Sequence, residues 1–177
     1  EHQVGIVSDF AYGAIGFDGN QPLSFLQTAG AKSVGIETYT FSKTFNMAGW
    51  RVGFAVGNAD MIAALNLIQD HLFVSIFPAI QDAAIAALAQ RKQRTDAVGQ
   101  LQAVYESRRN AFINAVRSFN WEPYVPKGAF YVLMPVPKGY TSAQFAELLL
   151  NRANVAVADA SGFGDAGEGY VRVGLTI

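Results

Sequence analysis

The stretch from Ser33 to Gly57 constrains this chain most. Two runs, Ser33 to Phe41 (with Val34, Ile36, Tyr39 and Phe41) and the apolar Arg51 to Val56, read as strands. Between them lies a short polar segment whose single lysine, Lys43, sits between Ser42 and Thr44. A third run, Val4 to Val7, ends in Ser8-Asp9 and reads as another buried strand. In open α/β sheets, ligand sites gather beyond the carboxyl ends of strands. Asp9 and Lys43 both fall at such ends, so the sequence points to an α/β fold with a site there. Three strands leave sheet edges open, and further strands are expected before residue 1.

The rest of the chain is patterned for helices and then for a second, smaller lobe. Asn58 to Asp70 carries Met61, Ile62, Leu65 and Ile68 on one helical face. Pro78 suits a helix start. From about Thr95 to Phe119 a long stripe (Val98, Leu101, Tyr105, Phe112, Ala115, Val116, Phe119) predicts a helix that links two lobes. Tyr105, Phe112 and Trp121 are expected in the core. Beyond it, Gly128 to Pro135 reads as a strand, and Thr141-x-x-Gln144 is a capping box for a helix through about Ala153. Val155 to Ala158 and Gly169 to Leu175 read as two more strands. The expected division is residues 1–94 and residues 95–177.

Composition removes several function classes. A net charge of -1 over 177 residues gives no electrostatic case for nucleic acid or an anionic membrane. No apolar run reaches the roughly 18 residues of a membrane span. There are no cysteines, which excludes disulfides and thiolate metal sites and fits a reducing, cytoplasmic setting. His2 and His71 have no companions at ligand spacing, so no metal is expected. The chain enters a strand within three residues of Glu1 and stops at Ile177 inside another, as a piece of a longer protein does.

Each candidate residue has a plain reading and a chemical one. Lys43 is either a loop lysine or an amine nucleophile, for which burial and a neighbouring cation favour the reactive neutral form. Asp9 either caps a turn or keeps a heterocyclic ring nitrogen protonated. Tyr12, three residues on, can donate to an oxygen of the same ring. Arg51 either pairs with an acid or binds phosphate through its planar fork. Thr40 and Ser42 either serve strand and turn chemistry or add hydroxyl donors to that phosphate. Arg172, inside the apolar strand Gly169 to Leu175, needs a partner. That partner is either Asp165 or Glu168, or an anionic ligand.

Together these blocks resemble the fold-type I pyridoxal-phosphate enzymes, specifically the class I/II aminotransferases. The resemblance runs from Ser8-Asp9-Phe10-Ala11-Tyr12 through Thr40-x-Ser42-Lys43 and Asn46-Met47-Ala48-Gly49-Trp50-Arg51. It continues in Tyr105-Glu106-Ser107-Arg108-Arg109, Lys127-Gly128-Ala129-Phe130-Tyr131 and Gly167-Glu168-Gly169-Tyr170-Val171-Arg172. Within the family, Asp9 to Gly19 and Ile68 to His71 are most similar to the methionine-salvage aminotransferases of Firmicutes. Aspartate, alanine, aromatic and diaminopimelate aminotransferases share most of the same blocks.

The resemblance implies that Lys43 is the Schiff-base lysine and proton shuttle of pyridoxal 5'-phosphate. It implies Asp9 as partner of the pyridine nitrogen and Tyr12 as partner of the ring oxygen. Thr40, Ser42 and Arg51 would bind the phosphate, and Arg172 the substrate α-carboxylate. It further implies a homodimer acting on small amino and 2-oxo acids. The chain would be the C-terminal part of such an enzyme: part of a large three-layer αβα domain with a mostly parallel sheet, plus a smaller α+β domain lacking its final helix. Alone it is expected to be inactive. A pyridoxal-phosphate-binding sensor module is the non-enzymatic alternative. The chain departs from the family at Asp159-Ala160, where Pro-Gly is usual.

Overall fold

In a computed structural model, residues 4–90 and 97–176 are described. The chain forms two compact units, Glu1–Leu101 and Gln102–Ile177. His2, the 94/95 boundary and the predicted helix start at Thr95 lie outside the described residues.

The first unit is built on a three-stranded sheet. β1 (Ile6–Asp9) is followed by a loop, by the single turn α1 (Ala31–Val34), and then by β2 (Gly35–Thr40). The short α2 (Phe41–Thr44) begins where β2 ends, and β3 (Gly53–Gly57) returns beside it. The order is β1-β2-β3, with β1 parallel and β3 antiparallel to β2. The expected mostly parallel sheet therefore holds for only one of the two pairings seen here. Ser33 and Val34, expected in the strand, instead close α1. Ser33 Oγ donates to Gly30 O at 2.7 Å, a local bond that competes with strand pairing.

Helices α3 (Ala59–Leu72) and α4 (Pro78–Gln90) complete this unit. Asn58, expected inside α3, is its N-cap and accepts from Met61 N at 3.0 Å. Pro78 opens α4 as its fixed φ predicts. Phe41, Val52 and Ala84 form a buried cluster, with Phe45, Met47 and Ile80 packed against it. Ile15 and Phe17, from the Gly- and Asn-rich loop, are also fully buried.

The division between units falls inside α5 (Ala97–Arg117). The second unit continues with β4 (Tyr131–Pro135), α6 (Ser142–Ala153), β5 (Ala158–Asp159) and β6 (Tyr170–Gly174). Its sheet has the order β4-β6-β5 and is antiparallel throughout. Phe130, Val132, Met134, Phe145 and Val171 are buried in it. Trp121 packs edge-on against Phe145 and donates Nε1–H to Pro135 O at 2.8 Å. The capping box at Thr141 is present in both directions.

The α5 stripe needs correction. Tyr105 is buried as expected, but Phe112 is only partly so, and Phe119 is 80% exposed. The helix ends at Arg117, so the spacing cannot carry Phe119 inward. Ile113 and Arg109 take the buried face instead. Arg109 is tolerated there because Pro126 O accepts from it at 3.0 Å and Asn110 Oδ1 at 2.8 Å.

Candidate active site

Pleating and register decide which site residues meet. Asp9 is the last residue of β1 and stands opposite Thr38 of β2. Thr38 Oγ1 lies 3.4 Å from both Asp9 Oδ1 and Ser8 O, two long contacts that share one hydroxyl proton and link the end of β1 to the neighbouring strand. Side chains two apart on a strand share a face, so Asp9, Thr38 and Thr40 lie on one side. Thr40 ends β2 and caps α2, accepting from Ser42 N at 3.1 Å. That cap turns the chain out of the sheet and sets Ser42 and Lys43 directly beyond the strand end. Both are partly buried.

Arg51 enters the same end from the other side. It follows the 3-10 turn Ala48–Trp50 with φ of 52°, and its Nη1 donates to Ala48 O at 3.0 Å. Two residues later Gly53 stands in register with Thr40. Tyr12 lies in the turn after β1, where its carbonyl accepts from Ile15 N at 2.9 Å. The carboxyl ends of β1 and β2 and the start of β3 thus bring Asp9, Thr40, Ser42, Lys43 and Arg51 to one end of one sheet.

The opposite face of β2 holds a buried carboxylate that the sequence reading missed. Glu37 is 0% exposed. Its oxygens accept from Ser24 Oγ at 2.7 Å, Phe25 N at 2.7 Å, Ser8 Oγ at 3.3 Å and the Tyr39 hydroxyl. Burial alone pushes its pKa up. The hydrogen bonds from Tyr39, Ser24, Phe25 N–H and Ser8 outweigh burial and hold it below the ordinary 4.5. The Tyr39 hydroxyl is raised by burial and by the same carboxylate. A lone acid in the middle of a strand, two residues from an aromatic, was the available signal.

In the second unit, Arg172 stands on the central strand β6, between Leu133 of β4 and Ala158 of β5. Among the described residues no carboxylate pairs with it. Glu168 is instead occupied in accepting from Ser142 N at 3.0 Å. The guanidinium carbon lies 4.2 Å from the Tyr131 ring centroid and 3.9 Å from that of Phe163. Asp159, where the family usually has Pro, caps the following 3-10 turn through Ser161 N at 2.9 Å.

The donor set fits a phosphorylated pyridine aldehyde. It offers an amine, a carboxylate tied to a neighbouring strand, two hydroxyls and a guanidinium, all at one sheet end. No cluster of three metal-ligating side chains occurs among the described residues, and no helix there is long and apolar enough to cross a membrane.

Comparison with known proteins gives one consistent result. The sequence model of the family "Aminotransferase class I and II" matches residues 1–176. The L-glutamine--4-(methylsulfanyl)-2-oxobutanoate aminotransferase of Bacillus subtilis is 61% identical over 175 residues, covering 99% of this chain and 43% of that protein. An LL-diaminopimelate aminotransferase of Dehalococcoides mccartyi is 46% identical over 177 residues, or 45% of its length. An aminotransferase structure from Staphylococcus aureus superposes with a TM-score of 0.92 at 42% identity, over 98% of this chain and 45% of that one. The chain spans less than half the length of these relatives.

Proposed function

The chain belongs to the class I and II aminotransferases, and from that premise we propose that the full-length protein moves an amino group between an L-amino acid and a 2-oxo acid. Members of this family depend on pyridoxal 5'-phosphate. When bound, that group supplies an electron sink for the charge left on the substrate α-carbon. The observation that supports the reading is the gathering of Asp9, Thr40, Ser42, Lys43 and Arg51 at one sheet end.

Each residue has a defined task in this reading. Asp9, tied to Thr38, keeps the ring nitrogen protonated. Tyr12 donates to the ring oxygen. Thr40, Ser42 and Arg51 bind the phosphate, the arginine by a charge-assisted fork. Lys43 would hold the group through its amine. Its Nζ would take the α-proton as general base and then deliver it, as general acid, to a different carbon. Arg172 binds the substrate α-carboxylate. The first unit belongs to a three-layer αβα cofactor domain and the second to a smaller α+β domain. The full-length protein is a cytoplasmic homodimer, and this chain alone is inactive.

The acceptor we favour is the 2-oxo acid of methionine, on the strength of the Bacillus subtilis relative. A diaminopimelate-type substrate is the second reading, supported by the relative at 46% identity. A panel of amino donors and 2-oxo acids, followed by cofactor absorbance in the full-length protein, separates the two. Lys43→Ala should abolish the covalently bound cofactor's absorbance and lower turnover about a thousandfold, the scale of a lost general base. Retention of both would overturn the assignment. A protein that binds the cofactor yet transfers no amino group to any acceptor is a sensor-type module instead.

A further inference from the structure

We propose that Phe163 and Tyr131 are positioning residues that hold the Arg172 guanidinium with its N–H edge free for the substrate carboxylate. This rests on the reading of Arg172 given above. A guanidinium carbon within about 4 Å of a ring centroid stacks on the ring face. The contacts at 4.2 Å and 3.9 Å place the cation over two ring faces. Among the described residues no hydrogen bond or ion pair engages its N–H groups, the part that forks onto a carboxylate. An arginine held this way loses less freedom when the ligand arrives.

Both rings are placed by the sheet. Tyr131 is two residues before Leu133, the register partner of Arg172, so it is the diagonal neighbour on the same face. Phe163 comes from the other flank. It ends the 3-10 turn Ala160–Phe163 directly after β5, whose Ala158 is the second register partner of Arg172. That turn is anchored by the Asp159 cap and by buried Ala160. Gly167 closes over it so tightly that a Cβ there would lie 2.0 Å from Ala160 O. The turn therefore has a defined conformation even though Phe163 is 61% exposed. An exposed phenylalanine gains little from burial, and among the described residues the contact recorded for its ring is with this cation.

The test uses the full-length protein with its cofactor. Phe163→Ala and Phe163→Leu should each raise KM for L-methionine about fivefold to tenfold, the cost of ordering one long side chain on binding. Saturated turnover should stay within about twofold, and Phe163→Tyr should restore KM. Equilibrium affinity for α-methyl-L-methionine, which has no α-proton to lose, should weaken by the same factor. Reaction with 3-(methylsulfanyl)propylamine, which lacks the carboxylate, should be unchanged. Leucine keeps the apolar bulk without the π face, so a wild-type KM in Phe163→Leu overturns the inference. Equal losses with the carboxyl-free amine overturn it too, since they indicate general damage to the fold. A wild-type protein that transfers no amino group from any L-amino acid overturns the functional reading and this inference together.

Discussion

Two three-stranded sheets each carry one charged side chain on their central strand, and the two charges are treated in opposite ways. Glu37 on β2 is fully buried and accepts from four donors. Arg172 on β6 is partly exposed, lies against two aromatic rings and has no carboxylate partner among the described residues. A buried charge persists only when its hydrogen-bonding capacity is filled. Glu37 meets that condition inside the chain, so its role is to tie β2 to the loop at Ser24 and Phe25. Arg172 meets it only in part. In the proposed reading, that leaves the cation for an anion that arrives from outside.

That contrast is broken most decisively at Arg172. Arg172→Lys in the full-length protein should raise KM for amino donors and 2-oxo acids about a hundredfold. A point charge cannot reproduce the bidentate fork, and a charged hydrogen bond is worth about 1.5–3 kcal/mol. The urea midpoint should barely move, and a large drop in it would make Arg172 structural.

Glu37 should behave in reverse. Glu37→Gln places an amide among four donors and should lower stability by about 2 kcal/mol while leaving KM unchanged. The pH dependence follows from the direction of the shift. The native pKa lies below the unfolded one, so the contribution of Glu37 is complete above the ordinary 4.5 and is lost as pH falls through the lowered native value. Urea midpoints from pH 7 down to pH 3 should therefore converge for wild type and Glu37→Gln at the acid end. Parallel curves would show that the carboxylate charge does not matter.

The smallest effect separates fold from site within the second unit. Thr141→Ala removes the α6 cap and should cost about 1 kcal/mol in a denaturation midpoint with KM unchanged. Phe163→Leu should do the opposite. If both variants moved both quantities, the second unit could not be divided into scaffold and clamp.

What was legible in the sequence was local. The capping box at Thr141, Pro78 at the start of α4 and the strand delivering Thr40, Ser42 and Lys43 depend on neighbours within a few residues. The candidate site was legible for the same reason, since Asp9 and Lys43 sit at strand ends that apolar patterning marks. The misses required distant partners. Arg109 is buried because Pro126 O reaches it from 17 residues away. Thr38 matters because parallel register sets it opposite Asp9. Phe163 became informative only once it was found over Arg172.

The sequence by itself determined the chemistry available to this protein: one lysine among hydroxyls, an aspartate and tyrosine upstream, an arginine eight residues on, and a lone arginine in an apolar strand. Side-chain identity and short-range spacing are enough to state those groups. Only the tertiary structure decided which charges meet partners inside the chain and which lie against rings without a carboxylate among the described residues. That outcome depends on strand register and on rings and carbonyls contributed from far along the chain, which no local pattern encodes.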